Sequence, residues 1–216
     1  MLKNDTPHTI TLYYVHDPMC AWCFAFQRNL QALIANLPPN VKLVKLLGGL
    51  APDSSEPMTE PMKLHIINNW RRIESTVEGI RFNYDFWKAC EPRRSSYLAC
   101  RAVIAARMQG ESFEDKMIDA IQMAYYTQAR NPSDAETLLY LAKQLGLTTQ
   151  TFELDLVSAH TNQILMENIQ RARARHARTF PSLVLEKGGA FGHVNVDYNT
   201  PDAMIRTIEA VATSRQ

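Results

Sequence analysis

Two cysteines three positions apart, in Cys20-Ala21-Trp22-Cys23, carry the clearest chemical signal in the chain. They follow a strand-like run, Thr9 to Val15 (TITLYYV), and the linker His16-Asp17-Pro18-Met19. They precede a helix-like run with Phe26, Leu30, Leu33, Ile34 and Leu37 on one side. A helix N-terminus offers unpaired backbone N–H groups and the positive end of the macrodipole. Both stabilise a thiolate, which is the reactive form of cysteine. The second cysteine, one turn further on, is close enough to close a disulfide, so the pair has the requirements for thiol–disulfide exchange. The competing chemistry is structural zinc, which needs two more ligands and usually a second tight pair. Cys90 and Cys100 are widely spaced, and no close pair of histidines completes a set, so no metal site is expected. Beside a β–α–β pattern and without a secretory signal, C-x-x-C favours redox chemistry.

The elements that must position these thiols are legible around them. Pro38-Pro39-Asn40 ends the first helix, because proline disfavours helix in the residue before it. Val41 to Leu47 (VKLVKLL) reads as a second strand and Gly48-Gly49 breaks it. A right-handed β–α–β crossover makes the two strands parallel neighbours. From Ala51 to about His160 strand signals nearly vanish. Helices are expected around Met62–Ile73, from a Ser95 or Ser96 cap to Met108, from Ser112, from an Asn131 cap with Pro132 in the first turn to Gly146, and from Thr148 or Thr149. The pattern then returns to α/β. A helix runs from about Thr161, Thr179-Phe180-Pro181 follows, and a strand Ser182–Glu186 turns at Gly188-Gly189 into a strand Ala190–Val194. Thr200-Pro201 starts a last helix as N-cap and first-turn proline.

Composition sets outer bounds. The chain has 216 residues, 46% hydrophobic and 21% charged, which is ordinary for a globular protein with an ample core. A formal net charge of +1 gives no signal for nucleic acid or for a membrane surface. No apolar run reaches the length of a membrane span. The N-terminal sequence MLKNDTPHTI lacks an apolar signal-peptide core, so a cytoplasmic location is expected. In a reducing compartment a disulfide is more often catalytic than structural.

The order β–α(CxxC)–β, helical insert, α, X-Pro, β-hairpin, α resembles the thioredoxin fold with the helical insertion of the DsbA family. The closer likeness is to its cytoplasmic group, which includes FrnE-type proteins. Asp17-Pro18-Met19-Cys20-Ala21-Trp22-Cys23, Leu47-Gly48-Gly49-Leu50, Ser95–Val103 (SSYLACRAV) and Thr179-Phe180-Pro181-Ser182 carry the resemblance. It implies an α/β chain with a discontinuous thioredoxin-like domain, 1–50 and 161–216, and an inserted all-helical subdomain, 51–160. It also implies roles. Cys20 is the exposed nucleophile, Cys23 resolves the mixed disulfide, and Pro181 is a cis proline beside the dithiol. Phe180 would present its backbone to an extended substrate, and Trp22 is the aromatic candidate for substrate contact. Ala21-Trp22 departs from the family's Pro-His and Gly-Pro interiors. Trp cannot stabilise a neighbouring thiolate by charge as His does, so a weaker oxidant, suited to reduction or isomerisation, is expected.

The implied partners are a disulfide-containing protein or a small-molecule thiol. Glutathione or a thioredoxin-type reductant would act as electron partner, with no bound cofactor. The alternative is a glutathione-dependent transferase or isomerase resembling the kappa-class transferases and the 2-hydroxychromene-2-carboxylate isomerases. Those relatives usually carry a Ser and no resolving cysteine, and the intact CxxC argues against them. Around the dithiol, Asp17 is expected to cap the helix. Cys90 and Cys100 read first as core thiols, and second as a further redox pair or a regulatory disulfide. Arg171, Arg175 and Arg178 share one helix face by spacing and read first as a solvated helix end, and second as a carboxylate anchor. Phe82, Tyr84, Phe86 and Trp87 read as packing within the insert.

Overall fold

The computed structural model describes residues 10–214. Thr9, the expected first residue of the first strand, lies outside the described residues. Four strands, β1 (Ile10–His16), β2 (Val41–Leu47), β3 (Ser182–Lys187) and β4 (Ala190–Val194), form one sheet in the order β2-β1-β3-β4. β1 pairs with β2 in parallel, Ile10 opposite Val41 through His16 opposite Leu47, and with β3 antiparallel. The β3–β4 hairpin turns at Gly188 and Gly189, both at positive φ.

β1 is an interior strand of this sheet and is apolar on both faces, as a strand covered on both sides must be. Ile10, Leu12 and Tyr14 point into a core shared with α1 (Ala21–Ala35) and α9 (Asp202–Thr213), chiefly Phe26, Leu30, Leu33, Met204 and Ile208. Burying Phe26, Leu30 and Leu33 stabilises the α1–sheet contact by roughly 1.5–3 kcal/mol each. Tyr13 and Val15 point the other way, against Ala172 near the end of α8 (Ala159–Ala174) and Ala177 just after it.

Between β2 and α8 the chain is helical: α2 (Glu60–Thr76), α3 (Phe86–Ala89), α4 (Tyr97–Met108), α5 (Phe113–Tyr126), α6 (Ala135–Gln144) and α7 (Thr149–Leu156). Two cores organise it. Ala and β-branched residues of α4 pack with Met117, Leu138, Phe152 and Leu165. The second centres on the fully buried Trp70, whose ring lies within 4.8–6.1 Å of Phe82, Tyr84, Phe86, Trp87, Tyr125 and Tyr126. Ala21 and Ala25 of α1 join this aromatic core, so it abuts the helix that carries the cysteines.

Several element starts differ from the sequence expectation. Asn131-Pro132 does not open α6. Asn131 instead accepts from Ser133 N in a turn, and Asp134 is the N-cap. Ser158 is the N-cap of α8, its hydroxyl accepting from Thr161 N at 3.0 Å, and Pro201 is itself the N-cap of α9. Gly49, after β2, sits at φ +64°, and a Cβ there would stand 2.5 Å from Ile169 Cδ1 and 2.8 Å from Tyr97 Cε1. Gly49→Ala therefore combines left-handed strain with overpacking. It is expected to lower the unfolding free energy by about 2 kcal/mol, seen as a lower urea midpoint at unchanged m-value.

Candidate active site

Cys20 is the N-cap residue of α1, at φ −88° and ψ 117°, after a tight turn in which its N–H donates to Asp17 O at 3.0 Å. Its Sγ donates to Phe180 O at 3.4 Å, and the Phe180–Pro181 peptide is cis. Residues 160 positions apart thus meet at one sulfur. Cys20 is not the exposed thiol that the resemblance implies. It is 7% exposed, because the Phe180 carbonyl lies against it and Met19, Trp22 and Trp70 wall the cavity it opens into. Cys23, one turn on, is fully buried. Burial, then the hydrogen bond and charge of Cys20, push its thiol well above the ordinary range, while the Asp17 backbone N–H pulls it down. Cys23 therefore holds its proton at rest.

Asp17 does not cap α1. Its fully buried carboxylate accepts from Met19 N (2.8 Å), Leu50 N (2.7 Å), Ser96 Oγ (2.7 Å) and Cys100 Sγ (3.4 Å). Burial raises its pKa, and the hydrogen bonds from Leu50, Ser96, Met19 and Cys100 oppose that rise. Asp17 thus ties the loop before Cys20 to the segment after β2 and to the start of α4. Ser96 caps α4 by position only, since its hydroxyl is turned to Asp17. The four cysteines are free thiols, and Cys90 donates to Ala129 O at 3.1 Å, away from the Asp17–Cys100 contact.

The cavity in front of Cys20 has a volume of about 400 Å³. Trp22 forms part of its wall. The indole N–H donates to Asn69 Oδ1 of α2 at 3.1 Å, its ring meets Tyr198 at 4.8 Å, and the Arg72 guanidinium lies 5.7 Å above it. Phe180 lies so close over Gly48 that a Cβ there would stand 1.9 Å from its ring, a physical reason for glycine after β2. Phe180, Leu50 and Arg178 also line a second cavity with Gly48, Gly49 and Arg173. His65, Arg94 and Arg178 line the first cavity, and among the described residues no acidic side chain lines either one.

A sequence model of the family described as Thioredoxin matches residues 13–192. The chain belongs to the thioredoxin family. Among solved structures of this fold it is similar to the cytosolic disulfide reductase DsbM from Pseudomonas aeruginosa, at 21% identity and a TM-score of 0.75, covering 94% of this chain and 98% of that one. The same reductase has been solved with glutathione, GSH. A candidate protein disulfide isomerase from Nitrosomonas europaea superposes with a TM-score of 0.77 at 22% identity, over 94% of this chain and 97% of that one. Among curated proteins, the ClpXP adapter protein SpxH of Bacillus subtilis is 24% identical over 81% of this chain, and the match covers 57% of that protein's length. The DsbA-type fold, with its helices between β2 and α8, is therefore shared at low sequence identity.

Of the residues singled out in the sequence, Cys20, Cys23, Trp22, Phe180 and Pro181 meet at this one place. The arginine run does not act as one face. The helix ends at Ala174 and His176 adopts φ +59°, so helical spacing fails beyond it. Arg175 turns onto the sheet, stacking 3.9 Å over Tyr13 and pairing with Glu186 at 3.1 Å, while Arg178 reaches the cavity. Phe82, Phe86 and Trp87 pack in the insert as expected. Trp70, Asn69, Arg94, Tyr125 and Tyr126 line the cavity without any local motif to announce them.

Proposed function

We propose that the chain is a cytoplasmic thiol–disulfide oxidoreductase of the reductase or isomerase type. The observation that carries this reading is the pairing of unlike thiols at the head of α1. Cys20 faces a cavity at a helix N-terminus, and the buried Cys23 keeps its proton one turn below. In this reading Cys20 thiolate attacks a disulfide R–S–S–R′ and releases R′–S⁻, forming Cys20–S–S–R. Cys23 then attacks Cys20 Sγ, and R–S⁻ leaves with the proton that Cys23 gives up. The product is the Cys20–Cys23 disulfide, which two external thiols reduce again. The redox couple is the dithiol itself, so the scheme uses no bound cofactor. Phe180, Pro181 and Trp22 frame the substrate, and residues 51–160 act as an inserted helical unit that walls the cavity.

The electron partner proposed is glutathione, with a thioredoxin-type reductant as the protein equivalent. The lining supports an anionic partner, because Arg94, Arg178 and His65 face the cavity and, among the described residues, no acid does. A glutathione moiety brings two carboxylates to such a site. The kappa-transferase alternative is less well supported, since Cys23 stands in place beside Cys20. The test is turnover of a glutathionylated peptide with glutathione as reductant. Turnover is expected for the wild type, and its absence across redox buffers would sink the reading. Arg178→Glu should raise KM about fivefold, corresponding to an exposed ion pair of about 1 kcal/mol, with kcat nearly unchanged. Added salt should shrink the difference between the two proteins.

A further inference from the structure

Trp22 stands between the two cysteines and is held by a residue of the helical insert. Its indole N–H donates to Asn69 Oδ1 of α2 at 3.1 Å. An indole offers a donor and no acceptor, so this contact fixes which way the Asn69 amide is turned. The amide oxygen is committed to Trp22. The amide nitrogen carries two N–H donors and has no hydrogen-bond partner among the described residues. Asn69 is half-buried and lines the cavity in front of Cys20.

Asn69 belongs to a face of α2 that is turned to this cavity. Met62, His65, Ile66 and Asn69 all line it, and their spacing of i, i+3, i+4 and i+7 is that of one helix face. Trp70, the next residue, is buried in the core that also holds Ala21 and Ala25, so α2 is packed beside the helix that carries the dithiol. Arg94 and Arg178 bring positive charge to the lining, and among the described residues no acidic side chain joins them. Arg94, Arg178 and His65 are exposed, whereas the Asn69 amide is tied down by Trp22. An amide with free donors in a cavity of that charge suits an anionic oxygen, because a charged acceptor makes the stronger hydrogen bond.

We propose that Asn69 is a specificity-determining residue whose amide N–H groups donate to a carboxylate of the glutathionyl half of the disulfide that Cys20 attacks. The inference rests on the exchange reading above and assigns a contact to the partner proposed there. The amide oxygen holds the residue between the cysteines, and the amide nitrogen holds the substrate whose sulfur they exchange. A role confined to anchoring Trp22 makes a different prediction, because an anchor does not sense the charge of the substrate.

The test is a single-turnover reaction of the reduced protein with glutathione disulfide or with bis(2-hydroxyethyl) disulfide, which has no carboxylate. Either disulfide oxidises the Cys20–Cys23 dithiol and leaves as two thiols, so loss of alkylatable Cys20 and Cys23 reads both rates. The readout is the ratio of the two second-order rate constants, glutathione disulfide over its neutral counterpart. Asn69→Asp keeps an oxygen for the Trp22 indole and replaces the donors with a repelling charge. Its ratio should fall about tenfold or more. Asn69→Leu removes the donors without adding charge, and its ratio should fall about fivefold. An unchanged ratio in Asn69→Leu would overturn the proposal even if the ratio falls in Asn69→Asp, since repulsion alone would then explain the latter. Equal slowing toward both disulfides in the two variants would also overturn it, leaving Asn69 as the anchor of Trp22. Failure of the wild type to react with either disulfide would instead defeat the exchange reading.

Discussion

Cys20→Ser is expected to abolish turnover of a glutathionylated peptide, by a factor of about a thousand or more. The hydroxyl that replaces the thiol does not ionise at neutral pH and cannot form the covalent intermediate. Cys23→Ser should behave differently. Cys20 still sits at the start of α1 and faces the cavity, so the first attack proceeds, and with no inner thiol the mixed disulfide accumulates. Intact-mass spectrometry should show an adduct of one substrate half per chain on Cys23→Ser and none on Cys20→Ser. Adducts found on Cys90 or Cys100 instead would contradict the assignment of the nucleophile.

The second large effect concerns acid stability. His16 is fully buried, with both ring nitrogens unpartnered among the described residues, and burial followed by the charge of Lys45 lowers its pKa from 6.5 to about 3, against a raising contribution from Asp115. As pH falls below 6.5 the unfolded chain takes up a proton that the folded chain refuses. The stability is complete above that pH and is lost progressively as pH falls toward about 3. Each unit in that window corresponds to about 1.4 kcal/mol. Between pH 7 and pH 5 the loss from this one group is about 2 kcal/mol. His16→Phe preserves an aromatic partner for Tyr14 and removes two orphaned polar atoms, which are costly when buried. Urea unfolding should show the variant more stable at pH 5, with the gap between the two proteins narrowing by about 2 kcal/mol at pH 7. Parallel stability curves would show that His16 does not titrate in this window.

Much of the scaffold is legible in the sequence because strong punctuation brackets it. β2 spans Val41–Leu47, as Pro38-Pro39-Asn40 before it and Gly48-Gly49 after it dictate. The β3–β4 hairpin follows from Gly188-Gly189 in the same way. The dithiol and the Thr179-Phe180-Pro181 segment are each marked by local residue types, and their meeting follows from the element order. The rest of the site is not local. Trp70, Asn69 and Arg94 sit in the helical insert, and helical periodicity separates buried from exposed faces without telling which face looks onto a dithiol built elsewhere. Asp17 illustrates the same limit. Its position before a helix suggests a cap, yet its hydrogen-bond partners come from positions 19, 50, 96 and 100. Arg178 is legible only as a second reading, on a helix face with Arg171 and Arg175, and the left-handed turn at His176 ends the helical register that would have kept the three together.

The central claim is that Cys20 and Cys23 form one exchangeable redox couple. Equilibration in glutathione buffers, followed by alkylation and peptide mass mapping, tests it most directly. A single two-electron transition confined to Cys20 and Cys23 is predicted, at a potential more negative than the roughly −120 mV of the strong oxidant DsbA, and absent in Cys20→Ser. The claim would be contradicted by a transition that omits either cysteine, or by a midpoint at or above that value.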